Sequence, residues 1–201
     1  MTFDDPAGSA ASRRRMLRVL ALFRSIAFHM ETQDQDPRQS AVHLADRVSA
    51  IGRAALTPIS GGTDLESLLL DELLAQGVRR LPLAIHGPEV RLAPKSAELL
   101  SLAFHELATN AIKFGALSQS QARLRVLWWF TGPASSSLHI EWSEEDVRME
   151  PAAQRQPGFG SSVVKRLIAR ELHGSGDILF LAKGILCIIE FPSSEALLHD
   201  E

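Results

Sequence analysis

The chain has 201 residues, enough for one ordinary domain or for a small helical module followed by a compact second domain. With 45% apolar residues, 22% charged residues and a formal net charge of -3, its composition is that of a folded globular protein. That charge gives no general pull towards nucleic acid or an anionic membrane, so neither is expected as a partner. The single cysteine, Cys187, excludes an internal disulfide and fits a reducing compartment. No apolar run approaches the ~20 residues of a membrane-spanning helix. The opening MTFDDPAGSAASRRR puts acids ahead of any apolar stretch, unlike a signal peptide, and a cytoplasmic location is expected.

Residues 1–12 are small and polar and read as a disordered N-terminus. From Arg13 a helical period sets in, with Met16, Val19, Leu20, Phe23, Ala27 and Met30 on one stripe. The polar ETQDQDP ends it, and Pro37 suits the first turn of a second helix carrying Val42, Ala45, Val48, Ile51 and Ala55. Together they predict an antiparallel helical hairpin over 13–60. Its apolar face is most simply buried by a second copy, as a four-helix bundle in a homodimer. Gly61-Gly62 marks a boundary. Beyond it Asp64 caps a helix to about Leu74, Leu81 to Ile85 alternates as a strand, and Val90 to Leu92 makes another. Pro94 opens a long helix from Lys95 to Phe114, and LRVLWWF and LHIEW flank GPASSS as a hairpin. After the polar SEEDVRMEPAAQRQP and GFG come a helix from Ser161 to Leu172 and two strands around Gly184. The fold class is α+β: the hairpin, then an α/β sandwich over 61–193 with helices on one face of a sheet, and a tail at 194–201.

In HELATNAIKFGALS, from His105 to Ser118, a helix puts Glu106, Asn110 and Lys113 on one face. That set suits a nucleoside triphosphate. The Asn110 amide oxygen is a hard ligand for Mg²⁺, Lys113 can approach phosphate oxygens, and Gly115 frees the backbone past the helix end. An amphipathic helix with a solvated polar face has the same spacing, so spacing alone leaves both open. Trp128 and Trp129 read as core residues of alternating strands, and Trp142 as a candidate to stack on a base.

HELATNAIKFGALS resembles the N-box of the HWE group of sensor histidine kinases. His105 and Trp142-Ser143-Glu144 match the histidine and the W-x-E that name the group. His86-Gly87-Pro88-Glu89-Val90-Arg91-Leu92, Gly158-Phe159-Gly160-Ser161, the GGTDLESLLLDEL segment and Gly184 to Pro192 are similar to further segments of that family. The resemblance therefore runs from about Arg14 to Pro192. It implies a Bergerat-type (GHKL) ATP-binding fold that takes ATP or ADP with Mg²⁺. Carried over, Asn110 holds the metal, Glu106 and Lys113 act as catalytic residues on the phosphates, and His105 orients phosphate. Glu144 then accepts the adenine amino group, and the backbone of Gly158, Phe159, Gly160 and Ser161 lies beside the phosphates.

Two departures bear on activity. In the frame set by Ser25-Ile26-Ala27, the family's phosphoacceptor histidine is replaced by Arg14, whose guanidinium has no nucleophilic lone pair. After the W-x-E, the family's glycines are replaced by Glu145-Asp146-Val147-Arg148, which removes permissive backbone and adds acidic charge beside the nucleotide. His29 lies about four turns beyond Arg14 on the same predicted helix, and His43 sits on the second; each reads first as an ordinary surface histidine. The expectation is a two-component signalling protein, kinase-like and ATP-binding but unable to label itself at the usual site, acting with a response regulator or related partner. Two alternatives stand beside this pseudokinase reading: a phosphotransfer adaptor using a histidine such as His29, and an ATP-dependent kinase acting on a separate protein.

Overall fold

A computed structural model describes residues 37–56, 62–78, 83–149 and 159–197, and before them Arg13, Met16, Leu17, Val19 and Leu20. Two compact units divide between Ser49 and Ala50, inside a helix and not at Gly61-Gly62. The reason is local: Ala50, Ile51 and Ala54 are buried, so the last turns of that helix are core residues of the larger unit.

In the smaller unit the five described residues before Pro37 are helical. Helix α1 (Pro37–Leu56) starts at the expected proline. Met16, Leu20 and Val42, all on the expected apolar stripes, are more than half exposed. Phe23, Ala27 and Met30 lie outside the described residues.

The larger unit opens with β1 (Thr63–Asp64) and α2 (Leu65–Ala75). Asp64 caps α2, its Oδ2 accepting from the Ser67 N–H and hydroxyl, each at 2.8 Å. Leu65, Leu68, Leu69 and Leu73 form the buried stripe of α2. Strands β2 (Leu83–His86) and β3 (Arg91–Leu92) follow, β3 pairing antiparallel with β1. Helix α3 (Pro94–Phe114) carries the N-box and has every residue from Ser96 to Ala108 buried, so it runs through the middle of the unit.

Strands β4 (Arg123–Thr131) and β5 (Ser137–Glu145) make the expected hairpin. Helix α4 (Phe159–Ser162), a π-helical stretch (Val163–Leu167) and α5 (Ile168–Leu172) run on from one another. Strands β6 (Ser175–Leu181) and β7 (Gly184–Pro192) follow, then the short α6 (Ser193–Ala196). The sheet has order β2-β4-β5-β7-β6, with β2 parallel to β4 and the remaining pairs antiparallel. Leu124, Val126 and Trp128 of β4, Leu138, Ile140 and Trp142 of β5, and Cys187, Ile189 and Phe191 of β7 bury one face. Alternation sends Arg123, Arg125 and Trp129 to the other.

That alternation corrects one expectation. Trp128 is core, its indole N–H donating to the Pro88 carbonyl at 2.7 Å. Trp129 is the next residue and must point the opposite way. It is 37% exposed and lies against His139, with ring centroids 4.2 Å apart. Burial pushes the Cys187 thiol up to about 12, so it behaves as a small apolar side chain. No described helix is long and apolar enough to cross a membrane. The unit is an α+β sandwich, with helices against one face of a mixed sheet.

Candidate functional site

Helix α3 places Glu106, Asn110 and Lys113 along one side, with Glu106 buried and the other two exposed. The start of α4 approaches that side closely. A Cβ built at Gly160 would stand 3.0 Å from Glu106 Cβ and 3.3 Å from Asn110 Nδ2. Glycine is therefore what lets two backbones meet around these polar groups. Phe159, buried, seats the turn, and Ser161 is half-buried, while Gly158 lies outside the described residues. The structure thus brings Glu106, Asn110 and Gly160 together, with Lys113 about one turn beyond Asn110 on α3.

Among the described residues no cluster of three His, Cys, Asp or Glu side chains could hold a metal. A hard cation here would rest on the Asn110 amide and on phosphate oxygens accompanying it, the usual manner of Mg²⁺ at phosphate sites. The donor set fits that group: an exposed amide, a carboxylate and an amine on the side of α3 that the backbone at Gly160 approaches closely.

The W-x-E acid has a different placement from the one expected. Glu144 is 2% exposed, and both its oxygens are engaged within the chain. Oε2 accepts from the Ala116 N–H at 2.7 Å and Oε1 from the Trp142 indole N–H at 3.1 Å. Burial raises the pKa of Glu144, and these two donors offset part of that rise. A side chain at Gly115 would overlap Glu144 Oε2, which explains why the N-box helix ends in Phe-Gly-Ala: glycine admits the carboxylate and Ala116 binds it. Trp142 is buried beneath this contact and does not present a face for stacking on a base.

His105 also faces away from the site. Its Nδ1 is 2.8 Å from Gln76 Nε2 and 3.7 Å from Glu72 Oε2, both on the side of α2, so the ring is turned to the helix packing and not to phosphate. Glu72 is 1% exposed. Arg53 grips it with Nε 3.2 Å from Oε1 and Nη2 2.6 Å from Oε2, and Ser101 Oγ lies 2.7 Å from Oε1. Burial alone would raise the Glu72 pKa, but the contacts to His105, Arg53 and Ser101 and the Arg53 charge outweigh it and hold the carboxyl below the ordinary value. Sequence reasoning passed over this cluster, although its signal was present: Glu72 occupies an apolar position of the α2 stripe, between Leu69 and Leu73.

The glycine-poor segment after Glu144 also behaves differently from the expectation. Asp146 takes the left-handed backbone, φ 56°, that a glycine would have supplied. The added charges are turned towards arginines of β4: Arg123 lies 3.6 Å from Glu145 and 3.1 Å from Asp146, and Arg125 lies 3.3 Å from Glu145. The buried Val147 follows, its N–H donating to the Lys183 carbonyl at 3.0 Å, and the Arg148 N–H donates to Gln119 Oε1 at 2.8 Å. The acidic residues are thus paired on the sheet face away from the helices. Of the acceptor candidates, His43 is half-buried on α1, and Arg14 and His29 lie outside the described residues.

No family model matches the chain. It is 29% identical over 192 residues to blue-light-activated histidine kinase 1 of Erythrobacter litoralis, covering 92% of this chain and 52% of that protein. It is 31% identical over 184 residues to the blue-light-activated histidine kinase of Rhizobium johnstonii, covering 90% of this chain and 51% of the relative. The chain thus spans about half the length of the curated relatives it matches. Among solved structures, the blue-light activated histidine kinase of Erythrobacter litoralis superposes with a TM-score of 0.65 at 17% identity, over 90% of this chain and 60% of that one. The histidine kinase domain of that protein gives 0.58 at 16% identity, over 89% of this chain and 95% of the domain. Over about nine-tenths of its length the chain is similar in sequence to blue-light-activated histidine kinases, and its fold is that of the histidine kinase domain of the Erythrobacter litoralis protein.

Proposed function

We propose that the chain is an ATP-binding, kinase-like component of two-component signalling, of the HWE type, that does not phosphorylate itself at the usual hairpin position. The approach of Gly160 to Glu106 and Asn110 carries the nucleotide part of this reading. A backbone turn set against an amide and a carboxylate, with an amine further along the same helix, is a cradle for a metal-bound polyphosphate. When bound, ATP with Mg²⁺ would supply the phosphoryl chemistry, and ADP would occupy the same residues without it. Asn110 would hold the metal, Lys113 would lie along the phosphates, and Glu106 would orient groups at their end. Glu144 and His105 support this side of α3 from behind: one ties down the end of the helix and the other packs against α2.

Arg14 carries the second part. A guanidinium stays protonated and offers donors only, so it cannot take a phosphoryl group. A response regulator or another two-component protein is then the partner, the chain acting on it as a regulator. The exposed apolar residues Met16, Leu20 and Val42 support a homodimer formed through the hairpin.

Incubation with γ-labelled ATP tests both parts. The wild type should bind nucleotide and gain no acid-labile phosphohistidine, and Arg14→His should gain label. Label on a histidine of the wild type sinks the proposal. If that label mapped to His29, the phosphotransfer reading would take its place.

A further inference from the structure

We propose that Glu72 is a positioning residue for the nucleotide side of α3, and that Arg53 makes this positioning depend on the last turns of α1. The inference rests on the nucleotide-binding reading above. Three helices meet on one carboxylate: α1 contributes Arg53, α2 contributes Glu72, and α3 contributes Ser101 and His105. Ser101 Oγ also lies 2.9 Å from the Ala50 carbonyl, a second tie between α3 and α1.

Packing does not require a charge at this place. Every other buried position of the α2 stripe is leucine, and a leucine at 72 would continue the stripe. Replacing a buried ion pair with apolar side chains is often neutral or stabilising, so stability is a weak reason for keeping one. What the carboxylate adds is direction. Leucines tolerate small rotations and slides of one helix on another, whereas a two-pronged guanidinium contact and a hydroxyl contact fix both.

The residues fixed are the ones next to the site. His105 precedes Glu106, and Ser101 lies one turn before His105 on the same line of α3. A rotation of α3 would carry Glu106 towards or away from Gly160, where a Cβ would already be only 3.0 Å from Glu106 Cβ. The site therefore has little slack, and the setting of α3 is read there directly. Arg53 is the adjustable member: its side chain is 37% exposed, against 1% for Glu72, so it stands at the rim of the cluster. Moving or withdrawing it leaves a buried carboxylate with fewer donors, and α3 is free to resettle.

The test uses the full chain with Glu72→Leu, Arg53→Met, Arg53→Lys and, as a control, Leu74→Ala on the exposed side of α2. Two quantities are read: Mg-ATP affinity by calorimetry, and the positions of the Asn110 side-chain amide signals in ¹⁵N NMR spectra without nucleotide. Glu72→Leu and Arg53→Met should melt cooperatively, bind Mg-ATP at least tenfold more weakly and shift the Asn110 signals. Arg53→Lys, which keeps the charge but not the fork, should recover part of the affinity, and Leu74→Ala should change neither quantity. A folded Glu72→Leu with wild-type affinity and unmoved Asn110 signals overturns the proposal, and if that variant does not fold, Arg53→Met decides in the same way. A wild type with no Mg-ATP affinity removes the nucleotide reading itself. The Asn110 signals then decide alone: moved signals support positioning by Glu72, and unmoved ones refute it.

Discussion

Gly160→Ala separates the fold from the site more sharply than any other single change. In the folded chain the new methyl would stand 3.0 Å from Glu106 Cβ and 3.3 Å from Asn110 Nδ2. The first neighbour is a Cβ fixed by the backbone of α3, so no rotamer change relieves it and the two helices must separate by a few tenths of an ångström. Overpacking of this kind costs about 1–3 kcal/mol. Against it stands the helix propensity of alanine over glycine, about 1 kcal/mol, since Gly160 is helical. The two terms largely offset, and the melting temperature should move by only a few degrees. Binding has no such compensation, because the displaced groups are the amide and the carboxylate that would meet the metal and the phosphates. A loss of about 1.4 kcal/mol, or tenfold in affinity, is the expected minimum. Calorimetry with Mg-ATP, run beside thermal melts, checks it. A folded Gly160→Ala with undiminished affinity would refute the argument that the meeting of α4 and α3 builds the site.

Asn110→Ala should leave the melting curve unchanged, because the side chain is exposed, and should abolish the magnesium dependence of nucleotide binding in the same calorimetric titration. Glu72→Gln should lower stability near neutral pH by about 1.5–3 kcal/mol, the range for hydrogen bonds to a charged group. The Glu72 pKa is depressed in the folded chain, so its contribution is fully present above the ordinary glutamate value of 4.5 and is lost as the pH falls through the lower folded value. The gap between wild type and Glu72→Gln in urea titrations should therefore close as the pH drops below 4.5, and a gap that is constant with pH would count against the ion-pair account.

The parts of the fold that were legible are those governed by local periodicity. The start of α1 at Pro37, the Asp64 cap, the length of α3 and the β4–β5 hairpin each follow from a turn or cap signal beside an apolar period. What was not legible lies in contacts between elements far apart in the chain. The division between Ser49 and Ala50 depends on where the last turns of α1 pack, which no composition shift announces. The side of α3 taken by His105 depends on α2 supplying Gln76 and Glu72, so a residue beside the polar face was read as part of it. Glu144 shows the same limit: its motif marked it as important, but only the fold reveals that its oxygens are engaged by Ala116 and Trp142.

The replacement of glycines after Glu144 raised the expectation of a weakened site, and Asp146→Gly tests it. Asp146 already holds φ at 56° and is exposed, and its carboxylate meets Arg123 at 3.1 Å with both side chains more than half exposed. Glycine would relieve a left-handed backbone that costs an ordinary residue about 1–2 kcal/mol and aspartate less. It would also remove an exposed ion pair of about 0–1 kcal/mol and give the unfolded chain more freedom, by about 0.4–1 kcal/mol. These contributions are of similar size and opposite sign, so stability should stay within about 1 kcal/mol of wild type. Nucleotide affinity should stay within about threefold, because the carboxylate removed is turned towards Arg123 and the backbone already follows the path a glycine would allow. A tenfold gain in Mg-ATP affinity in Asp146→Gly would show instead that the acidic segment restrains the site. Impaired function would then lie in that turn as well as at Arg14.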